Sequence, residues 1–132
     1  MKNLGFDLTL HADQFIRGGA ALAVQIGAKS ADHLEAITVK DIHLLGASNT
    51  VAVVLPGASL GLGMSFAPCR ALLDAGACLA IASDWNFGAA LNGDLLAQCD
   101  ILAANEKLTA AETFSGVTFI AAHAFGLTER GE

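Results

Sequence analysis

Four short stretches of strand character, each ending in polar or turn-forming residues, recur along this chain and leave few folds open to it. Residues 6–11 alternate apolar and polar and end at His11, ahead of Ala12, Asp13 and Gln14. Residues 28–33 end in Asp32-His33, followed by Leu34 and Glu35. Residues 50–55 are rich in β-branched side chains and end at Pro56-Gly57. Residues 78–82 are an apolar run that stops at Ser83 and Asp84, with Asn86 and Gly88 just beyond. A run of that last kind, bounded by turn residues, reads as a strand buried on both faces.

Helical segments separate these stretches. The pattern predicts a helix over 20–27 closed by Gly27. A second is predicted over 39–45, with Thr38 as its cap, Asp41 in its first turn and Gly46 after it. Residues 57–66 are glycine-rich and read as a flexible loop. Pro68 suits the first turn of a helix over 68–75, which Gly76 ends. Residues 93–105 read as an amphipathic helix with Leu95, Leu96, Cys99, Leu102 and Ala103 on one side. Thr109 and Glu112 have the spacing of a capping box opening a last helix to about His123, before a polar, frayed tail from Leu127.

The strand tips near residues 11, 33, 55 and 83 lie 22, 22 and 28 residues apart, the spacing of short βα units. Alternating βα units imply an α/β fold with a parallel sheet covered by helices, plus an extra C-terminal helix. Nothing marks a linker, so residues 1–132 are expected to form a single domain. Two architectures fit: a small open sheet, or part of a (β/α)8 barrel, which runs to about 250 residues when complete. Gly57, Gly61 and Gly63 match no phosphate-binding fingerprint of an open sheet. His11, His33 and Asp84 at three strand tips suggest a barrel mouth instead, where such folds carry their chemistry.

Composition narrows the partners. Seven Lys and Arg against 13 Asp and Glu give a net charge of −6, with no basic stripe and no aromatic platform, which argues against nucleic acid. No apolar run reaches the roughly 18 residues a membrane span needs, and no signal-type core follows Met1-Lys2. A soluble, cytoplasmic protein with no membrane partner is expected. Cys69, Cys78 and Cys99 have no paired spacing and read as small buried hydrophobes.

Two histidines and an aspartate on separate parallel strands can converge on one point. Imidazole nitrogen and carboxylate oxygen both suit a divalent Zn2+ or Fe2+ ion, and such an ion makes hydroxide available near neutral pH. Asp84 at its strand tip reads as a metal ligand or a catalytic acid/base, and His33 as a group that holds the water or polarises a substrate carbonyl.

The segments His-Ala-Asp-Gln (11–14), Ser-Ala-Asp-His-Leu-Glu (30–35), Leu-Pro-Gly-Ala (55–58) and Ser-Asp-Trp-Asn-Phe-Gly (83–88) resemble, in order, the imidazolonepropionase family of the amidohydrolase superfamily. The resemblance runs over nearly the whole chain. It implies the C-terminal half of a metal-dependent (β/α)8 barrel, hydrolysing the cyclic amide of 4-imidazolone-5-propanoate to N-formimidoyl-glutamate in histidine degradation. It implies His11 as the metal ligand on the fifth strand and Asp84 as ligand and proton shuttle on the eighth. His33 becomes the sixth-strand histidine that orients the hydrolytic water. Gln14, Asn86, Gly88 and Ala89 fall at substrate-binding positions.

There are departures from the family pattern. The first-strand His-x-His pair and the substrate-binding groups of the first half are absent. Phe87 and Ala89 stand where the family has Pro and a hydroxyl residue, and the loop from Gln14 to Gly18-Gly19 is one residue short. A half barrel leaves two open sheet edges and a bare inner face, so self-association or a complementary N-terminal half is expected alongside the small-molecule substrate. The alternative reading is a non-catalytic remnant or half-barrel scaffold. His43 and His123 read as ordinary helix residues, and Asp13, Asp32 and Glu35 as capping, supporting or surface groups.

Overall fold

The computed structural model of the chain describes residues 5–127, so the tail expected past Leu127 lies outside the described residues. In order, the elements are β1 (Thr9–Ala12), α1 (Gly19–Ile26), β2 (Ser30–His33), α2 (Val39–Gly46), β3 (Val51–Val54) and α3 (Pro56–Gly61). There follow α4 (Cys69–Asp74), β4 (Leu79–Ile81), α5 (Leu95–Glu106), α6 (Ala110–Val117) and α7 (Phe119–Ala124). The strands pair in parallel in the order β1-β2-β3-β4. All four strand C-termini therefore share one end of the sheet. No helix among the described residues is long and apolar enough to cross a membrane.

Local signals set several helix ends where the sequence places them. The Thr38 hydroxyl accepts from the Asp41 N–H at 3.2 Å. Gly27, at φ 63°, closes α1 in the left-handed conformation that glycine adopts without strain. Thr109 and Glu112 form the reciprocal capping box at the start of α6.

The strand period of two sorts side chains to two faces. Ala12, Ala31, Ala52, Val54, Leu79 and Ile81 belong to the main core with Ala20, Ala23, Ile42, Leu45, Leu72 and Leu102 from the covering helices. Val51 and Ala80 look the other way and pack with Ala124, Ile120 and Ala121 of α7.

That second cluster revises the sequence expectation of one last helix and a bare inner face. The helix breaks at Thr118, whose φ and ψ of −123° and −91° are not helical. Gly116 of α6 sits against Ile81 on the main-core face, where an added Cβ would lie 3.2 Å from Ile81 Cγ1. After the break α7 lies on the opposite face, so the chain passes around the β4 edge and covers it. The β1 edge stays open, and Thr9 and His11 are exposed.

Three further expectations change. Residues 56–61 are helical rather than a loop, because Pro56 suits a first turn and the segment is wedged tightly between neighbours. A Cβ on Gly57 would come 2.6 Å from the Ser83 carbonyl oxygen, so only glycine lets α3 approach this closely. On α5 the buried stripe is Gln98, Cys99 and Leu102, and Leu96 turns outward. Cys69 and Cys99 are buried as expected, whereas Cys78, just ahead of β4, is exposed.

Candidate active site

The ladder places His11 of β1 beside Asp32 of β2, and Ala12 beside His33. Alternation alone would send His33 to the face opposite His11. The backbone at His33 instead turns left-handed, at φ 86°, and the two imidazole rings meet with centroids 4.1 Å apart at 44°.

Positive φ is concentrated at this end of the sheet. Of the five non-glycine residues with positive φ among the described residues, Asp13 (52°), His33 (86°), Leu34 (73°) and Asp84 (49°) follow or end β1, β2 and β4. Each such residue costs on the order of 1–3 kcal/mol, with aspartate at the low end, and persists only where its surroundings hold it. Those surroundings are visible. Asp13 caps α1, accepting from the Gly19 N–H at 2.6 Å and the Ala20 N–H at 3.4 Å. Leu34 is fully buried, and its N–H donates to the Ala12 carbonyl at 3.0 Å.

Asp32 is the electrostatic centre of the cluster. Burial pushes its carboxyl above the usual range, while the Ser30 hydroxyl donating at 2.6 Å and the charges of His33 and His11 pull it back. The carboxylate of Asp84 pushes it up again. Asp32 and Asp84 both line a cavity of about 350 Å³ between the inner sheet face and α7, with Val53, Leu55, Ala121 and Phe125.

The structure thus brings His11 to His33 and sets Asp84 within electrostatic reach of Asp32. His11 lies on β1 and Asp84 just past β4, the two outer strands, and among the described residues no three His, Cys, Asp or Glu side chains are grouped to hold an ion. Catalytic zinc takes three protein ligands, so the residues present do not complete a metal site.

The expected substrate positions fall into two further clefts. Gln14 is buried and lines one with Phe15, Glu35 and Met64. Gly88 and Ala89 line another, of about 290 Å³, with Gly57, Gly61 and Gln98. Asn86 organises that loop: its Nδ2 donates to the Asp84 carbonyl at 2.6 Å, and its Oδ1 accepts from the N–H groups of Gly88 and Ala89, both at 2.8 Å.

Glu35, read from the sequence as a capping, supporting or surface group, is buried beside His33. Its side chain is 3% exposed, and its Oε1 accepts from the Ser59 hydroxyl at 2.8 Å. Its Oε2 lies 3.9 Å from His33 Nδ1, and both atoms are buried without a hydrogen-bond partner. The only local hint is the His-Leu-Glu spacing, since the partner Ser59 comes 24 residues later on a segment that reads as a loop.

No protein-family model matches the chain. Curated relatives do. It is 45% identical over 131 residues to an imidazolonepropionase of Deinococcus deserti, covering 96% of this chain and 32% of that protein. It is 44% identical over 124 residues to one of Rubrobacter xylanophilus, covering 93% and 30%. The chain therefore spans about a third of the length of the curated relatives it matches. Among solved structures, a zinc-bound adenosine deaminase of Xanthomonas campestris superposes with a TM-score of 0.85 at 23% identity, over 99% of this chain and 35% of that one. An atrazine chlorohydrolase of Arthrobacter aurescens, complexed with zinc, gives 0.81 at 17% identity over 98% and 34%. The fold matches the part of these structures that it superposes on, as four parallel βα units.

Proposed function

Because the chain is homologous to the imidazolonepropionases over nearly all of its length, we propose that it is the C-terminal part of a hydrolase of that type, opening the ring of 4-imidazolone-5-propanoate to N-formimidoyl-glutamate. The single observation that carries this reading is the 45% identity over 96% of the chain, which takes in every strand tip named above. In the reaction, water adds to the ring carbonyl carbon, the C–N bond breaks, and the leaving nitrogen takes a proton. Asp84 accepts the proton of the attacking water and returns it to that nitrogen. His33 orients the water and polarises the carbonyl. Gln14, Asn86, Gly88 and Ala89 contact the substrate.

The relatives' length makes room for what this chain lacks. His11 and Asp84 each offer one ligand to a divalent Zn or Fe ion whose remaining ligands come from a complementary N-terminal part or a second copy. The residues present do not complete that site, and no step is routed through the ion. The working assembly is cytoplasmic on this reading.

The test combines this chain with the first two-thirds of the Deinococcus deserti relative, adds Zn2+ or Fe2+, and follows loss of substrate absorbance. Turnover is expected only from the combination, and Asp84→Asn lowers it by about 100-fold or more. A folded, metal-loaded combination without turnover overturns the proposal. One observation favours a second reading, a non-catalytic half-barrel scaffold: no three ligand side chains are grouped among the described residues. Metal analysis of the combination separates the two, since the scaffold holds no stoichiometric ion.

A further inference from the structure

We propose that Glu35 is a positioning residue for His33: its carboxylate takes the Nδ1–H of the imidazole, Ser59 holds the carboxylate in place, and Nε2 is left as the free nitrogen. The purpose of this pairing rests on the functional reading above, but the pairing itself stands on the geometry.

Glu35 Oε2 and His33 Nδ1 face each other at 3.9 Å, both shut off from solvent and both without a partner. Buried polar atoms are nearly always hydrogen-bonded, and an idle buried carboxylate oxygen is costly. A carboxylate only accepts, so the contact works in one tautomer: with the proton on Nδ1 the two idle atoms satisfy each other, and with it on Nε2 two lone pairs confront. The gap is about 1 Å longer than a hydrogen bond.

The other half of the carboxylate is already secured. Ser59 Oγ has one proton and two acceptors within reach, Glu35 Oε1 at 2.8 Å and the Leu55 carbonyl at 3.4 Å, and the shorter contact goes to Glu35. Ser59 is itself buried on α3, held there by the close approach of Gly57 to Ser83 and Gln98. The short helix thus reaches the histidine through one carboxylate. Carboxylates that fix a histidine's tautomer and ring orientation in this way are a recurring device.

The experiment is a long-range 1H–15N correlation of the histidine rings in the 15N-labelled chain, at a pH well above the ordinary histidine value of about 6.5. His33 is assigned by the signals lost in His33→Gln. The expected result is a pyrrole-type Nδ1 and a pyridine-type Nε2. The opposite tautomer, or the mixture of a free imidazole, overturns the proposal and needs no variant to be seen. Glu35→Gln keeps an acceptor oxygen and should retain the Nδ1–H form, whereas Glu35→Leu removes it and should shift the ring toward Nε2–H. An unchanged ring in a folded Glu35→Leu chain also overturns it. Neither metal nor substrate is involved, so a silent hydrolase assay with the Nδ1–H form intact sinks the proposed activity and leaves the pairing standing.

Discussion

Arg70 of α4 donates from both terminal nitrogens to the two carboxylate oxygens of Glu112, at 3.1 and 3.0 Å, across 42 residues of sequence. The same carboxylate closes the capping box of α6 with Thr109. One side chain therefore both starts a helix and ties it to the body of the fold.

The tie has a pH signature. The Arg70 guanidinium, then the Thr109 backbone and hydroxyl donors, hold the Glu112 carboxyl well below its usual range, at about 2. A depressed carboxylate contributes stability that is present above its ordinary value of 4.5 and is lost as pH falls through about 2. A carboxyl-detected NMR titration should find Glu112 ionised down to about pH 2, and Arg70→Met should move its midpoint back toward the ordinary value. An ordinary midpoint in the native chain would refute the clasp.

Leu34 sets burial against backbone strain. It is fully buried at φ 73°. Truncating a buried leucine to alanine costs about 2–5 kcal/mol. Glycine would lose the same contacts but release the left-handed strain, worth roughly 1 kcal/mol or more. In an ordinary strand or helix interior glycine is instead worse than alanine by roughly 0.5–1 kcal/mol. Urea unfolding should therefore find Leu34→Gly at least as stable as Leu34→Ala, and the reverse order would show that the site relaxes.

Gly61 and Gly63 separate close packing from strain. A Cβ on Gly61 would run into the Ala89 carbonyl oxygen, whereas Gly63, at φ 64°, has nothing within 4 Å. Gly63→Ala should cost about 1 kcal/mol from conformation alone. Gly61→Ala must push α3 off the 86–90 loop, at about 1–3 kcal/mol or more, with faster proteolysis in that loop as the accompanying sign. Equal losses in the two variants would contradict the packing.

The cysteines differ in reactivity. Burial pushes the Cys69 thiol up to about 12 and raises that of Cys99, while Cys78 is exposed. Thiolate is the reacting form. A disulfide-exchange reagent should label one thiol quickly in the folded chain and all three in denaturant, and Cys78→Ser should remove the fast phase. Two fast thiols in the native chain would mean that a core helix opens.

Much of this was legible beforehand because its causes are local. The Thr38 cap, the Gly27 stop and the Thr109–Glu112 box each act within four residues. The parallel sheet follows from the βα alternation, and so does the gathering of His11, His33 and Asp84 at one end. The α3 helix was not legible, since its glycines carry low helix propensity and only the close neighbours Ser83, Gln98 and Ala89 explain them. The burial of Gln98 was not legible either, because the tight approach of Gly57 that covers it lies 41 positions earlier in sequence.

By itself the sequence determined the four strands and their order, most of the helices between them, the direction of the strands and which polar residues stand at their tips, because propensity, capping and periodicity are short-range. Only the tertiary structure decided what those tips meet. It turned His33 back onto His11, buried Glu35 against Ser59, and broke the last helix at Thr118 to cover the β4 edge. Each of these outcomes depends on space shared by segments far apart in the chain, and the energy of filling that space exceeds any local preference.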